Sequence, residues 1–251
     1  MVRGLLPYGV VMLYRRLRDK RALNYCPLCE KQSLFQPMVA GDGSSRPNAI
    51  CANCGSLERH RLLWLFLTRE VDVENTANGG SMIHVAPEPS LRQKFAELLG
   101  ENYLTADLYD ESVDEKMDIT AIERPDESVD FIVANHVLEH INDDRTAMKE
   151  LCRVQKRGGW SILLAPVANM ESTYEDPSIT SEQGRLEAFG QVDHVRRYGA
   201  DYVERLRGAG YDVNVYTVKG LASRGEAKKM SLKEKGDSGD AVQSEIYFCT
   251  K

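Results

Sequence analysis

Three groups of residues in this 251-residue chain are of types and spacings that do chemistry. The first is two cysteine pairs, Cys26-Pro-Leu-Cys29 and Cys51-Ala-Asn-Cys54. A C-x₂-C pair puts two thiolates on one ion from a single turn, and two such pairs about 20 residues apart supply the tetrahedral four-sulfur set of a zinc ribbon. A site of four thiolates has no open position, so the Zn²⁺ it implies is structural. Two disulfides or a redox pair are the competing readings. Cys152 and Cys249 stand alone in apolar surroundings, as in a reducing compartment, which disfavours disulfides. The second group is Asn135, His136, Glu139 and His140, placed just after the apolar run Val129–Ala134. Histidine is the side chain poised for proton transfer near neutral pH. His136 and His140 have the i,i+4 spacing of a metal pair, but His-Val-Leu-Glu-His lacks the order of the H-E-x-x-H motif. The third group is His194 beside Asp193, Arg196, Arg197 and Tyr198. Arginines here suit a grip on a phosphate or carboxylate; solvent-facing ion pairs are the alternative. Arg59-His60-Arg61, just after the second cysteine pair, is either a phosphate contact or a solvated cationic face.

These groups need elements to hold them. Residues 128–166 read as a buried strand (Val129–Ala134), a helix near Asp143–Gln155 stopped by Lys156-Arg157-Gly158-Gly159, and a second buried strand (Trp160–Ala165). Apolar runs of this length on either side of a capped helix describe a parallel βαβ unit. Ligands gather at the carboxyl ends of its strands, where Asn135 and His136 fall. Upstream, Met82–Ala86 and Tyr103–Ala106 read as strands, Ser90–Leu99 as a helix closed by Gly100, and Met117 as part of a short strand. Downstream, the pattern gives a helix over Ala200–Arg207 and strands at Tyr211–Val218 and Glu245–Cys249. This alternation predicts a doubly wound, mostly parallel sheet. Ser56 is expected to cap a helix carrying Leu62–Leu67. Residues 71–81 read as a polar connector, and the lysine-rich Leu221–Asp240 as a flexible loop.

A net charge of −6 argues against a protein whose main business is coating nucleic acid. No apolar run nears the roughly 20 residues needed to span a bilayer. The amino-terminal residues 1–22 join the apolar Leu5–Tyr14 to Arg15, Arg16, Arg18, Lys20 and Arg21. They read as a helix packed on the main domain or as a peripheral anchor at an anionic membrane surface. The expected organisation is an amphipathic segment at 1–22, a zinc ribbon with its following helix at 23–70, and an α/β domain at 81–251. A cytoplasmic location, with contact at the inner face of the membrane through residues 1–21, goes with that organisation.

The α/β part resembles the class I S-adenosylmethionine-dependent methyltransferases, in particular their methyltransferase-11-like domain. The resemblance covers roughly Ser81–Lys251. It is carried by the stretch Asp130–His140 with its Leu-Glu-His, by Glu150–Gly159, and by Asp193–Tyr198 followed by a helix and Gly208-Ala209-Gly210-Tyr211. It implies a Rossmann-like seven-stranded sheet and S-adenosyl-L-methionine as cofactor. It further implies that the loop Ala86-Pro87-Glu88-Pro89-Ser90 wraps the methionine part and that Asp107 accepts from the ribose hydroxyls. Asp118 and the Ile119 backbone would meet the adenine, and Asn135 and His136 the methionine end. The family's loop usually runs D/E-x-G-x-G-x-G. Here it is His84-Val85-Ala86-Pro87-Glu88-Pro89-Ser90, with no glycine and two prolines. Cofactor binding is therefore expected in altered geometry, with Glu88 replacing the usual acid.

The expected activity is methyl transfer to an oxygen of a small or glycan-type acceptor, with His194 and His140 as candidate bases. The alternatives are a methyltransferase whose zinc ribbon grips RNA or protein, and a non-catalytic protein that keeps the fold.

Overall fold

The computed structural model describes residues 23–39, 45–77, 79–233 and 244–251. The amphipathic segment 1–22 lies outside them, as do residues 40–44, 78 and 234–243. In chain order the strands are β1 (Asn24–Cys26), β2 (Lys31–Ser33), β3 (Phe35–Val39), β4 (Ser45–Cys51), β5 (Met82–Val85), β6 (Tyr103–Asp107), β7 (Glu115–Lys116), β8 (Val129–Asn135), β9 (Gln155–Leu164), β10 (Tyr174–Glu175), β11 (Arg196–Arg197), β12 (Asp212–Thr217) and β13 (Glu245–Thr250). The helices are α1 (Glu58–Phe66), α2 (Val73–Thr76), α3 (Pro89–Leu99), α4 (Asp144–Val154), α5 (Glu182–Phe189), α6 (Tyr202–Gly208), α7 (Val218–Leu221) and α8 (Arg224–Met230).

The main sheet has the order β12-β13-β9-β8-β5-β6-β7. The pairs β5–β6, β5–β8, β6–β7 and β8–β9 are parallel, and β13 runs antiparallel to both its neighbours. This is a Rossmann-like, doubly wound, mostly parallel sheet. Its centre is β5 and β8, whose residues are almost all buried, because helices cover both faces of such a sheet. The order reverses at the β5–β8 pair, which opens a crevice at their carboxyl ends.

Several boundaries differ from the sequence reading, each for a local reason. Lys156–Gly159 does not separate helix from strand. Helix α4 ends at Val154 and β9 begins at once, with the run forming a bulge against Val129–Phe131. Gly158 takes φ +79°, and a Cβ on Gly159 would lie 2.1 Å from the Asp130 carbonyl oxygen. Both positions therefore need glycine. Met117 falls just past β7 and donates its N–H to the Asp107 carbonyl. Ser56 does not cap α1; its hydroxyl turns to Cys26 and Cys54, while His60 Nδ1 accepts the Leu57 N–H at 3.2 Å.

The largest correction concerns Leu221–Asp240. Its described part is not a flexible loop. It contains the end of α7 and all of α8, and α8 opens on a capping box: the Ser223 hydroxyl accepts the Glu226 N–H while the Glu226 carboxylate accepts from Ser223. Helix α8 docks on the cysteine module. Arg61 Nε donates to the Met230 carbonyl at 2.8 Å, the Asn24 amide donates to the Lys229 carbonyl, and Lys229 lies over the Tyr25 ring. From the other side α1 packs on the sheet, with Phe66 against Tyr216 and Phe248 and Trp64 against Phe95 of α3. The residues expected to be a polar connector include two buried apolar side chains, Val73 and Ala77. One continuous apolar core thus runs from the cysteines to β13.

Candidate active site

The four paired cysteines converge. Their sulfurs all lie within 4.8 Å of one another, with Cys26–Cys54 at 3.7 Å and Cys29–Cys51 at 3.8 Å. All six cysteines are free thiols. Tetrahedral coordination with Zn–S bonds of about 2.3 Å requires sulfur–sulfur distances of about 3.8 Å, so the cluster fits that ion. Just beyond it, Arg61 is fully buried. Its guanidinium donates to the carbonyls of Ala49, Ser56, Met230 and Ser231 and stacks 4.4 Å from the Phe35 ring centroid. Arg61 therefore ties β4, α1 and α8 together and does not present a cationic surface. His60 beside it is also buried.

The first crevice wall is the loop after β5. Ala86 there holds φ +48°, and His136, immediately after β8, holds φ +55°. A non-glycine residue in this left-handed region costs about 1–2 kcal/mol. Such strain persists only where the surroundings over-determine it, and it clusters at functional sites. The turn at Ala86 carries Glu88 inward. Pro89 then occupies the first turn of α3, where its missing N–H costs nothing.

Glu88 is the hub of the site. His84, fully buried in β5, places Nε2 3.0 Å from one Glu88 oxygen and Nδ1 2.8 Å from the Tyr103 hydroxyl. The Asn135 amide donates to the same Glu88 oxygen at 3.2 Å. His60 reaches the other oxygen, Nε2 at 3.4 Å, while its Nδ1 meets the Ser90 hydroxyl and the Leu57 N–H. Because that nitrogen accepts, the proton resides on Nε2, facing Glu88. Burial alone would raise Glu88, but the hydrogen bonds and charges of His60 and His84 outweigh it and hold the carboxyl well below the usual range. Burial pushes His60 down, against the pull of Glu88. The sequence offers His60 only as part of a cationic cluster for a phosphate or for solvent, and does not mark His84 as a site residue. For His84 a signal was present, since it stands at the first, normally acidic, position of the loop pattern.

The second wall follows β8. Asn135 is buried and its Oδ1 has no partner. His136 is half-buried, with Nδ1 3.2 Å from Glu139 and Nε2 without a partner. His140 lies in a short 3₁₀ turn, Leu138–His140, well before α4 begins, so it does not share a helical face with His136. It pairs instead with Asp193, Nδ1 to Oδ2 at 3.3 Å, and its ring meets that of His194 edge-on at 4.7 Å. Glu139, His140 and His194 offer ligand atoms within 4.8 Å of one another. Burial lowers the pKa of His194, partly opposed by the Glu139 charge. A neutral, buried imidazole beside a carboxylate is able to accept a proton.

Arg196 does not grip a ligand. It is buried, donates to the carbonyls of Leu138, Ile141 and Asn142, and pairs with Glu175 at 2.9 Å. Arg205 bridges Asp144 and Glu175, and the Tyr198 hydroxyl donates to Asp144 at 2.7 Å. This network clamps the 174–198 insertion onto the 3₁₀ turn and so fixes His194 against His140. Arg197 is exposed.

On the far side of the crevice, Asp107 ends β6. Its Oδ1 accepts the N–H groups of Tyr109 and Asp110. Asp118 is exposed and turns onto Thr120, and Ile119 is buried. The structure thus gathers Ala86, Pro87, Glu88, Asn135 and His136 at one end of the crevice. Asp107 lies at the end of the next strand, β6, and Asp118-Ile119 just after the outer strand β7.

Residues 77–163 match the protein family described as a methyltransferase domain. Similar solved structures include an S-adenosylmethionine-dependent methyltransferase from Archaeoglobus fulgidus, 14% identical, with a TM-score of 0.45, covering 78% of this chain and 95% of that one. A methyltransferase-like protein from Bacillus halodurans C-125 is 12% identical, with a TM-score of 0.42, covering 73% and 97%. The [4+2]-cyclase SpnF is 16% identical, with a TM-score of 0.43, covering 76% and 82%. No curated protein matches the sequence.

Proposed function

We propose that this methyltransferase-type domain uses S-adenosyl-L-methionine to methylate an oxygen of a small or glycan-type acceptor, and that its cysteine module holds one structural Zn²⁺. The observation that carries the reading is a concentration of unsatisfied polar atoms. Arg59 Nε, Asn135 Oδ1, His136 Nε2 and Glu139 Oε2 are all buried without a hydrogen-bond partner, and His60 Nε2 and Glu88 Oε1 have only each other, at 3.4 Å. Unsatisfied buried groups each cost about 1–3 kcal/mol, and such groups call for an explanation, a bound ligand among them. Here they surround the carboxyl ends of β5 and β8, where a doubly wound sheet binds its ligand.

The cofactor supplies a sulfonium methyl group as electrophile. Glu88, held ionised by His60 and His84, is suited to an ammonium group. Asp107 is suited to a diol, since a carboxylate accepts two hydrogen bonds at fixed spacing. Asp118 and the Ile119 N–H are assigned to the adenine, and Asn135 and His136 to the methionine end. On the acceptor side His194, kept neutral by burial, takes the hydroxyl proton, with Glu139 and His140 orienting it. His140 is the second candidate for that proton. Support for a small acceptor comes from Arg61, whose guanidinium is occupied inside the protein and so is not offered to a phosphate backbone. Among the described residues no helix is long and apolar enough to cross a membrane. Contact of residues 1–21 with an anionic membrane surface remains part of the proposal.

Calorimetry with S-adenosylhomocysteine tests the cofactor reading, and absence of binding defeats it. With an acceptor in hand, His194→Ala should lower kcat by about a hundred- to ten-thousandfold and leave cofactor-product affinity unchanged.

A further inference from the structure

Helix α1 brings two consecutive polar residues, Arg59 and His60, from the cysteine module to the crevice. His60 has a visible task, since it braces Glu88 from behind. Arg59 has none. Its Nε is buried without a hydrogen-bond partner, and the residue is only partly covered. An arginine so placed is unusual, because a guanidinium N–H taken from water is normally satisfied by a carboxylate or a carbonyl. Arg61, two residues on, shows the satisfied case, with its donors spent on four carbonyls.

The charges around Arg59 locate it. Burial lowers its pKa, and the carboxylates that oppose this are, in order, Glu88, Glu58 and Glu139. Glu88 and Glu139 stand on the two walls of the crevice, after β5 and after β8. Glu58 is at the start of the same helix, and Arg46 repels Arg59 from β4. Its neighbour in the chain, His60, touches Glu88 at 3.4 Å, so Arg59 lies near the methionine end, with both walls within electrostatic reach and neither carboxylate in an ion pair with it. One anion braced by two histidines and one cation with an unpartnered buried N–H make a complement to an α-amino-acid zwitterion. The planar guanidinium matches a carboxylate with two parallel hydrogen bonds.

We infer that Arg59, delivered by the helix of the cysteine module, binds the carboxylate of the cofactor's amino-acid end, opposite Glu88, which takes its ammonium group. The inference rests on the cofactor reading above. It also gives the absent glycine loop a substitute: the family's flexible backbone cradle is replaced by two side chains from different parts of the chain, one of them outside the α/β domain.

The test is calorimetry on the full zinc-loaded chain with two probes. S-adenosylhomocysteine carries the zwitterion; 5′-methylthioadenosine has the nucleoside and thioether without it. Arg59→Met should weaken S-adenosylhomocysteine by about tenfold or more, the loss of one charged hydrogen-bonded contact, and leave methylthioadenosine within about twofold of the unaltered protein. An equal loss for both probes, or no loss for either, overturns the inference; normal binding of both would assign the arginine to a carboxylate on the acceptor instead. Arg59→Lys keeps the charge without the fork, so it also serves if the methionine variant fails to fold. It should bind S-adenosylhomocysteine with intermediate affinity, and affinity equal to that of the unaltered protein overturns the inference. Failure of the unaltered chain to bind S-adenosylhomocysteine would instead defeat the cofactor reading itself.

Discussion

His84 and Glu88 lie four residues apart and meet across a left-handed turn, imidazole Nε2 to carboxylate oxygen at 3.0 Å. The relationship puts an acid into the crevice by a route different from a strand-end aspartate. The strand residue is the histidine, the turn at Ala86 reverses the chain, and the carboxylate arrives from the loop. Tyr103 at the start of β6 locks the far side of the same ring. Glu88→Gln should therefore do more than remove a charge. It leaves His60 and His84 facing an amide, and one broken buried network of this kind costs about 1–3 kcal/mol. Denaturant unfolding should register that loss, and S-adenosylhomocysteine affinity should fall by at least about tenfold. A variant with unaltered affinity would remove Glu88 from the cofactor site.

Asp107 offers a separate test of the opposite end of the crevice. One of its oxygens accepts two backbone N–H groups and is thereby fixed in direction. Asp107→Ala should weaken S-adenosylhomocysteine by about ten- to a hundredfold, the equivalent of 1.5–3 kcal/mol for hydrogen bonds to a charged group. Methylthioadenosine should weaken in parallel, because it retains the ribose; a loss confined to S-adenosylhomocysteine would refute the ribose assignment.

The pH dependence of stability has a definite sign. His60 and His194 are both held below the ordinary value of 6.5, in each case by burial first. The unfolded chain thus takes up protons on these residues before the folded one does. The stability they contribute is complete above about pH 6.5, declines as the pH falls through that value, and is lost below the folded pKa values. Unfolding midpoints should drop between about pH 7.5 and 5.5, and the drop should be smaller in His194→Gln. Equal drops in the two proteins would show that His194 does not titrate as described.

The buried ion network makes a prediction about folding rather than chemistry. Arg196 and Asp144 are each under 5% exposed as side chains, and Arg205 shares the same carboxylate. Removing one member strands the others, at a cost of about 3–5 kcal/mol. Arg196→Met should show that loss in chemical denaturation, whereas the neighbouring, exposed Arg197→Met should stay within about 0.5 kcal/mol. Comparable effects of the two would contradict the assignment of Arg196 to the scaffold.

Metal content is the simplest measurement. Atomic emission should find one zinc per chain. Cys51→Ser should lose it and melt at a lower temperature, and Cys152→Ser should keep it. Chelation should also reduce S-adenosylhomocysteine affinity, because Arg59 and His60 hang from the helix that follows the second cysteine pair. Zinc-free protein of undiminished stability would leave the four sulfurs without their metal role.

Much of this architecture is written in local patterns. The central βαβ unit, the two strands before it and the two after it follow from apolar run length and punctuation, because strands buried on both faces leave that mark. The cysteine spacing likewise determines which four sulfurs meet. What was not legible depends on partners distant in sequence. Arg196 and Arg61 look like surface cations until their carbonyl partners are known. His60 and Arg59 belong to the crevice only because α1 packs against the sheet. The lysine-rich stretch reads as disordered by composition, although Ser223-Arg224-Gly225-Glu226 carries a capping-box pattern that marks a helix start. There the local signal was present, and overall polarity masked it.

The docking of α8 on the cysteine module has a consequence for how the molecule is made. Asn24 and Lys229 are 205 residues apart, and Arg61 and Met230 are 169 apart. Contacts of such span are closed late, since the loop between them must be ordered first. The cysteines leave the ribosome well before the helix that docks on their module. A nascent chain therefore carries its four thiols for a long stretch of synthesis before α8 can dock, and removing α8 should unsettle the distant cysteine module.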